Sequence, residues 1–447
     1  MPGIRRERSW ARSTAAATSL AALAATSLVA GPAVAEARAG SCALERTDAH
    51  HSEGLDTWHS GYPRPERALD ALMVFLAFPD SVPLVSPQEL AADHFPATDR
   101  FYEQASYGAF TLRPHPREDW ISMPKPSTAY AIERDWKAKH RTAYLRDAVA
   151  AVDPHVDFGA YDIVYFVADP DAPGVDSDAT KVVNFDRPLR ADGTALRRIV
   201  TVFERHPPDR NVLAHETGHV FDLPDLYHRP EDETGDWDTH VGDWDLMGSQ
   251  FAMAPDLFAW HKWKLGWLGD DQVVCVEGRE ESPLTLEPVS VRPPEPGSAA
   301  GPAVAGPAVA GAAVLVGPVA RAVAPDATAG PPGPGRGTKL AVVRTGRTTA
   351  VAVEARAAVG NDRTTCTEGV LVYRVRSVAA SGEGPVRVVD GHPETDACGE
   401  RSVYPPLADA PLGAGEGLTV TDGRVPVRVE VTERTPTGEW VVRISTG

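Results

Sequence analysis

Cysteine, methionine and positive charge are all scarce in this 447-residue chain. The four cysteines, Cys42, Cys275, Cys366 and Cys398, are scattered, whereas a zinc ribbon needs C-x-x-C pairs. An even count suits disulfides in an exported chain, with three connectivities open. Cys366 and Cys398 share one C-terminal stretch and are the expected pair, which leaves Cys42 and Cys275 to each other or free. Lys and Arg number 44 against 62 Asp and Glu, a formal net charge of -18. That balance argues against nucleic acid or anionic lipid as partners, since both need a basic face. There is no G-x-S-x-G elbow for a serine nucleophile, no long acidic run and no EF-hand spacing. Beyond residue 35 no segment is long and apolar enough to span a bilayer.

What is present begins with an export signal. Arg5, Arg6, Arg8 and Arg12 precede an uncharged, Ala-rich stretch at 15–29, and Ala33-Val34-Ala35 is an A-x-A cleavage site. Residues 1–35 are therefore expected to be removed, leaving a secreted, extracellular chain without stable membrane insertion. Residues 36–67 are polar and irregular and read as a linker or short pro-segment. Hydrophobic residues make up 43% of the chain, enough to bury a sizeable core.

Residues 71–78 (ALMVFLAF) form a continuous apolar run, the mark of a buried central strand. Residues 87–107 read as helical with a break at Pro96, and 129–151 as a second helical stretch. Residues 161–168 and 198–203 are further strands, the latter an exposed edge on which a substrate strand could add. Strands alternating with helices point to an α/β or α+β domain over 68–270. Residues 271–447 read as a smaller antiparallel β domain, from short β-branched runs separated by turns. Within it, about 293–337 is a low-complexity Ala/Pro/Gly insert.

The chemistry sits in His215-Glu216-Thr217-Gly218-His219, an H-E-x-x-H segment on a helix expected over 210–221, with Asp209 as its N-cap. Residues four apart share one helical face, so His215 and His219 can hold a single zinc ion. Glu216 is too constrained to coordinate easily and can serve as general base toward water at the metal. Asp225, ten residues after His215, is placed to supply a third ligand. Met247, within Gly242-Asp243-Trp244-Asp245-Leu246-Met247-Gly248-Ser249, fits a Met-turn below the metal. Tyr227, His228 and His240 are candidates for stabilising the oxyanion.

The blocks HETGHVFDLPDLY (215–227) and GDWDLMGS (242–249) resemble secreted zinc metallopeptidases of the immune inhibitor A type. FYEQASYGAFTL (101–112), YDIVYFV (161–167) and HKWKLGWL (261–268) support the resemblance, which covers roughly 68–270. It implies a bacterial zinc endopeptidase acting on protein or peptide substrates. The implied fold is an α+β zincin catalytic domain with a mixed sheet and an active-site helix. It implies His215, His219 and Asp225 as ligands, Glu216 as base and Met247 as the Met-turn residue; members of the family often carry calcium, which the acids at 231–245 could hold, with solvated loop acids as the other reading. Asp222 departs from the H-E-x-x-H-x-x-G pattern, where Gly allows the left-handed turn back toward the metal. Glu231, Glu233, Asp236, Asp238 and Asp243 therefore stand as alternative carboxylates. Two other readings stay open: a non-catalytic metal-binding module, and a latent enzyme with Cys42 or His51 on the metal.

Overall fold

The computed structural model describes residues 41–209, 211–229, 235–277, 283–292 and 337–447. The export signal, Glu231, Glu233 and nearly all of the low-complexity insert lie outside the described residues. The described chain has mixed α+β content, with helices and several sheets.

The first sheet contains β1 (Leu69–Ala77), β2 (Leu112–Ser122), β3 (Ile163–Ala168), β4 (Lys181–Ala191) and β5 (Thr194–Val202) in the order β2-β1-β3-β5-β4. Its pairs are parallel except β4 with β5, which is antiparallel. Strand β1 is apolar from Ala71 onward because both its faces are covered there. Leu69, Ala71, Met73 and Phe75 enter one core, while Leu72, Val74 and Leu76 enter another on the opposite side.

Helices α1 (Pro87–His94) and α2 (Ala97–Ala105) are separated at Pro96, where the sequence places the break. Helix α3 (Ala138–Val152) is shorter than the expected 129–151 stretch and packs Tyr144, Leu145, Ala148, Val149 and Val152 on the second core. Helix α4 (Val212–Val220) follows β5 and lies on the first core, and α5 is Ala259–Lys264. Strand β5 is flanked by β3 and β4, so the expected exposed edge at 198–203 is corrected to β4. The sequence hides β4 because Pro188 and its charges break the apolar pattern, a composition that outer strands tolerate.

The β-rich region supplies β6 (Val273–Cys275), β7 (Pro283–Leu286), β8 (Leu340–Arg344), β9 (Thr349–Arg356) and β10 (Gly369–Arg376). After these come β11 (Val386–Val388), β12 (Gly417–Asp422), β13 (Val425–Arg434) and β14 (Trp440–Thr446). They build one sheet of order β11-β10-β9-β8-β6 and another of order β12-β13-β14-β7. The pairing is antiparallel apart from β6 with β8. Strand β8 sends Leu340 and Val342 into the core that holds α4, and Ala341 and Val343 between the two β sheets. The β-rich region and helix α4 thus share one core.

Residues 41–67, read as linker or pro-segment, are woven into this core. Leu44, His51, Ser52 and Glu53 are buried. Cys42 is bonded to Cys275, with Cα atoms 5.5 Å apart, and Cys366 is bonded to Cys398 as expected. The Cys42 pairing removes its thiol as a metal ligand.

Candidate metal centre

Helix α4 begins at Asn211, which holds a left-handed conformation (φ 62°). Asp209 does not cap it through its side chain as expected; its carboxylate accepts instead from Gln250 Nε2. Every residue of α4 is buried, so His215 and His219 are not the surface histidines of an ordinary amphipathic helix. Tyr102 donates to the Ala214 carbonyl at 2.5 Å, and Tyr165 bonds Thr217 Oγ1 at 2.9 Å. These contacts tie α4 to α2 and β3.

Two backbone acceptors orient the imidazoles. His215 Nδ1 lies 2.9 Å from the Leu246 carbonyl, and His219 Nδ1 lies 2.8 Å from the Leu223 carbonyl. A carbonyl only accepts, so both Nδ1 atoms carry a hydrogen and each ring turns its Nε2 inward as the atom able to meet a cation. They converge on Asp225 Oδ1, 3.3 Å from His215 Nε2 and 3.0 Å from His219 Nε2.

The helix ends in a Schellman turn. Leu223 N–H donates to the Gly218 carbonyl and Asp222 N–H to the His219 carbonyl. Asp222 takes the left-handed position (φ 66°), so an Asp makes the turn that Gly was expected to require. The strain is met by side-chain contacts. Arg46 Nη2 and His51 Nδ1 lie 2.6 and 2.9 Å from the Asp222 carboxylate, and Lys264 Nζ donates to its carbonyl at 2.6 Å. Burial opposes this carboxylate's charge, but Lys264, His51 and Arg46 hold its pKa well below the usual range. His51 thereby has a partner away from the three converging atoms, with its ring stacked on that of His219.

Asp225 follows three residues later. Its second oxygen accepts from Ser381 Oγ at 2.8 Å, and its N–H donates to the same hydroxyl at 2.8 Å. Tyr227 stacks beside His215. His228 and His240 face each other instead, with centroids 4.9 Å apart, and neither lines the cleft. Asp243 is spent on the Met253 and Val403 N–H groups. Among the described residues, His215, His219 and Asp225 are the one group of three or more His, Cys, Asp or Glu side chains close enough to share a cation. Asp236, Asp238 and Asp243 do not join it, nor do the acids at 235–245 make a second such group for calcium.

Met247 lies beneath the helix in a turn closed by Asp245, whose carboxylate accepts from Met247 N–H at 2.7 Å. The Met247 carbonyl accepts from Leu226 N–H, which fixes the chain just past Asp225.

Burial outweighs the nearby histidines and raises the pKa of Glu216. Its Oε2 accepts from Val182 N–H on β4 at 2.9 Å. Burial would lower His219, but the Asp225 charge and hydrogen bond hold it up at about 9. Asp225 is held well below its ordinary value, because His219 and His215 overcome the effect of burial.

Two imidazole Nε2 atoms and one carboxylate oxygen lie together here, a donor set that suits a divalent zinc ion. Donors bonded at about 2.0 Å in a tetrahedron stand roughly 3.3 Å apart, close to the separations here. The fourth side opens into a cleft of about 350 Å³, lined in part by His50, Arg134, Lys181, Val182, Tyr227 and Trp237. Sequence reasoning did not single out Ser381, Arg46 or Val182; their roles arise from contacts across long separations that no local spacing encodes. No protein-family model matches the chain, and no curated protein matches it.

Proposed function

We propose that this chain is a secreted zinc-dependent endopeptidase with a zincin-type catalytic region. The observation that carries the reading is the convergence of His215, His219 and Asp225 beside a buried Glu216, at the floor of an open cleft. A zinc ion held by His215, His219 and Asp225 would supply Lewis acidity toward a peptide carbonyl and toward water.

The chain's own residues do the rest. Glu216 takes the proton of the attacking water and delivers it to the departing amine. Val182 N–H fixes which oxygen of Glu216 faces the cleft. The Tyr227 hydroxyl is the candidate donor to the developing oxyanion, preferred over His228 and His240 because it alone of the three borders the cleft. Strand β4 is an outer strand beside Glu216, so an extended peptide can pair along it and present a carbonyl to the metal.

Three protein donors with an open side favour catalysis over a structural ion, which takes four. Two disulfides support an oxidising, extracellular setting. No helix among the described residues is long and apolar enough to cross a membrane.

The test is Glu216→Gln in the purified chain, with casein hydrolysis and bound zinc measured together. Hydrolysis is expected to fall by about 10²–10⁴-fold with one zinc per chain retained. Proteolysis at the parental rate removes Glu216 as base. A parent that holds zinc but cleaves nothing points to a non-catalytic metal module.

A further inference from the structure

We infer that Ser381, on the loop between β10 and β11, is a positioning residue that sets which oxygen of Asp225 meets the metal. The inference rests on the zinc reading above.

The Ser381 hydroxyl donates its one hydrogen to Asp225 Oδ2 and accepts from the Asp225 backbone N–H, each at 2.8 Å. A hydroxyl has one hydrogen, and here it is committed to Oδ2. That oxygen is thereby turned from the imidazoles, and Oδ1 alone lies against both His215 and His219 Nε2. The arrangement enforces one-oxygen ligation and keeps the carboxylate from swinging to chelate through both oxygens. A single hydroxyl thus fixes both the rotation of the side chain and the position of its backbone.

Ser381 can do this only if its own loop is fixed, and four contacts fix it. Gly382 N–H donates to the Asp225 carbonyl at 2.9 Å, and Ser381 N–H donates to the His50 carbonyl at 3.2 Å. Upstream, the buried Ser377 carbonyl accepts from Ser52 Oγ at 2.7 Å, while Ser377 Oγ donates to the Glu45 carbonyl. The loop is therefore clamped between the segment around residues 45–52 and the turn that carries Asp225. Ligand-orienting groups outside the coordination sphere govern metal affinity because they remove the freedom a ligand would otherwise lose on binding. The β-rich region is then part of the metal centre, and a chain ending near residue 270 would keep H-E-x-x-H but lose the group that aims the third ligand.

The experiment compares the full chain with Ser381→Ala, Ser381→Thr and His219→Ala. Zinc affinity is read by competition with a chromogenic chelator. The visible spectrum is recorded with cobalt(II) as the only metal, and folding is checked by circular dichroism. Ser381→Ala is expected to weaken zinc binding by about 10–100-fold and to shift the cobalt bands while remaining folded. Ser381→Thr, which keeps the hydroxyl, is expected to restore both. Parental zinc affinity with an unchanged cobalt spectrum in Ser381→Ala overturns the inference, provided His219→Ala has lost the metal. Parental zinc affinity in His219→Ala overturns the metal reading itself. If Ser381→Ala does not fold, Ser381→Cys, similar in size but a weak donor, is read by the same two measurements.

Discussion

The sulfur of Met247 fills the space that a side chain on Gly218 would need: a Cβ placed on Gly218 would come within 2.5 Å of Met247 Sδ. Gly218 is therefore required by a close approach, although it lies inside a helix where Gly is intrinsically poor. The contact locks Met247 to the helix that bears His215 and His219.

Gly218→Ala is expected to destabilise the fold by about 1–3 kcal/mol through overpacking. Combining it with Met247→Ala should be less damaging than the sum of the two single changes, because the second removes the obstacle met by the first. Urea unfolding of all four species measures the coupling. Strict additivity would show that the two groups do not compete for the same space.

Asp222 offers a second comparison. Ala and Gly at this position both lose the contacts to Arg46 and His51, but only Gly accepts φ 66° without strain. Asp222→Ala is expected to be less stable than Asp222→Gly by about 1–2 kcal/mol. Equal unfolding midpoints and slopes for the two variants would mean that the backbone relaxes out of the left-handed region.

The buried His261 gives a pH dependence. Its Nε2 and Nδ1 meet Glu53 and Asp245 at 2.7 and 3.1 Å. Burial would lower its pKa, but these two carboxylates raise it to about 9. The folded state thus holds a proton that the unfolded chain, with a pKa of about 6.5, releases between these values. The contribution is complete below about pH 6.5 and is lost as pH rises through about 9, on the order of 3 kcal/mol. Unfolding free energies measured across that range in His219→Ala, which removes the other histidine held near 9, are expected to fall with pH. A flat profile would place a neutral imidazole in the core.

The Cys42–Cys275 bond closes the longer of the two loops, 233 residues in sequence separation. Loop-closure entropy grows with loop length, so replacing both cysteines by Ala is expected to lower stability by about 3–5 kcal/mol. The segment from Cys42 to Glu53 should become the first site of proteolytic nicking. Limited digestion followed by mass measurement locates the first cut, and a first cut elsewhere counts against this segment depending on the bond.

The parts of the site that were legible in the sequence are those set by local periodicity. The four-residue spacing of His215 and His219 needs only a helix to bring both rings together, and the unbroken apolar run in β1 needs only burial on two faces. Asp225 was legible because it lies one turn beyond the same helix. Ser381, Arg46 and His51 were not, because they act on this turn from segments remote in sequence. The polar run around His51, Ser52 and Glu53 reads as linker, yet two of its backbone carbonyls find donors inside the core: Trp260 Nε1 donates to that of Glu53 and Lys264 Nζ to that of Ser52. Composition sees polarity but not whether partners await it. Tyr227, His228 and His240 could not be ranked for the same reason, since only the folded turn directs one of them to the cleft.

The residues flanking the Ala/Pro/Gly-rich stretch at 293–336 are bound to one another. Glu287 N–H donates to the Thr338 carbonyl at 2.9 Å, and Lys339 Nζ reaches the carbonyls of Pro288 and Val291 at 2.9 and 2.6 Å. Entry and exit are thus stapled together by groups that do not belong to the stretch, much as a doorframe stands whatever hangs in it. Evolution and the protein engineer alike are left free to shorten, lengthen or exchange what lies between, and a reporter peptide inserted there should leave the cluster of His215, His219 and Asp225 undisturbed.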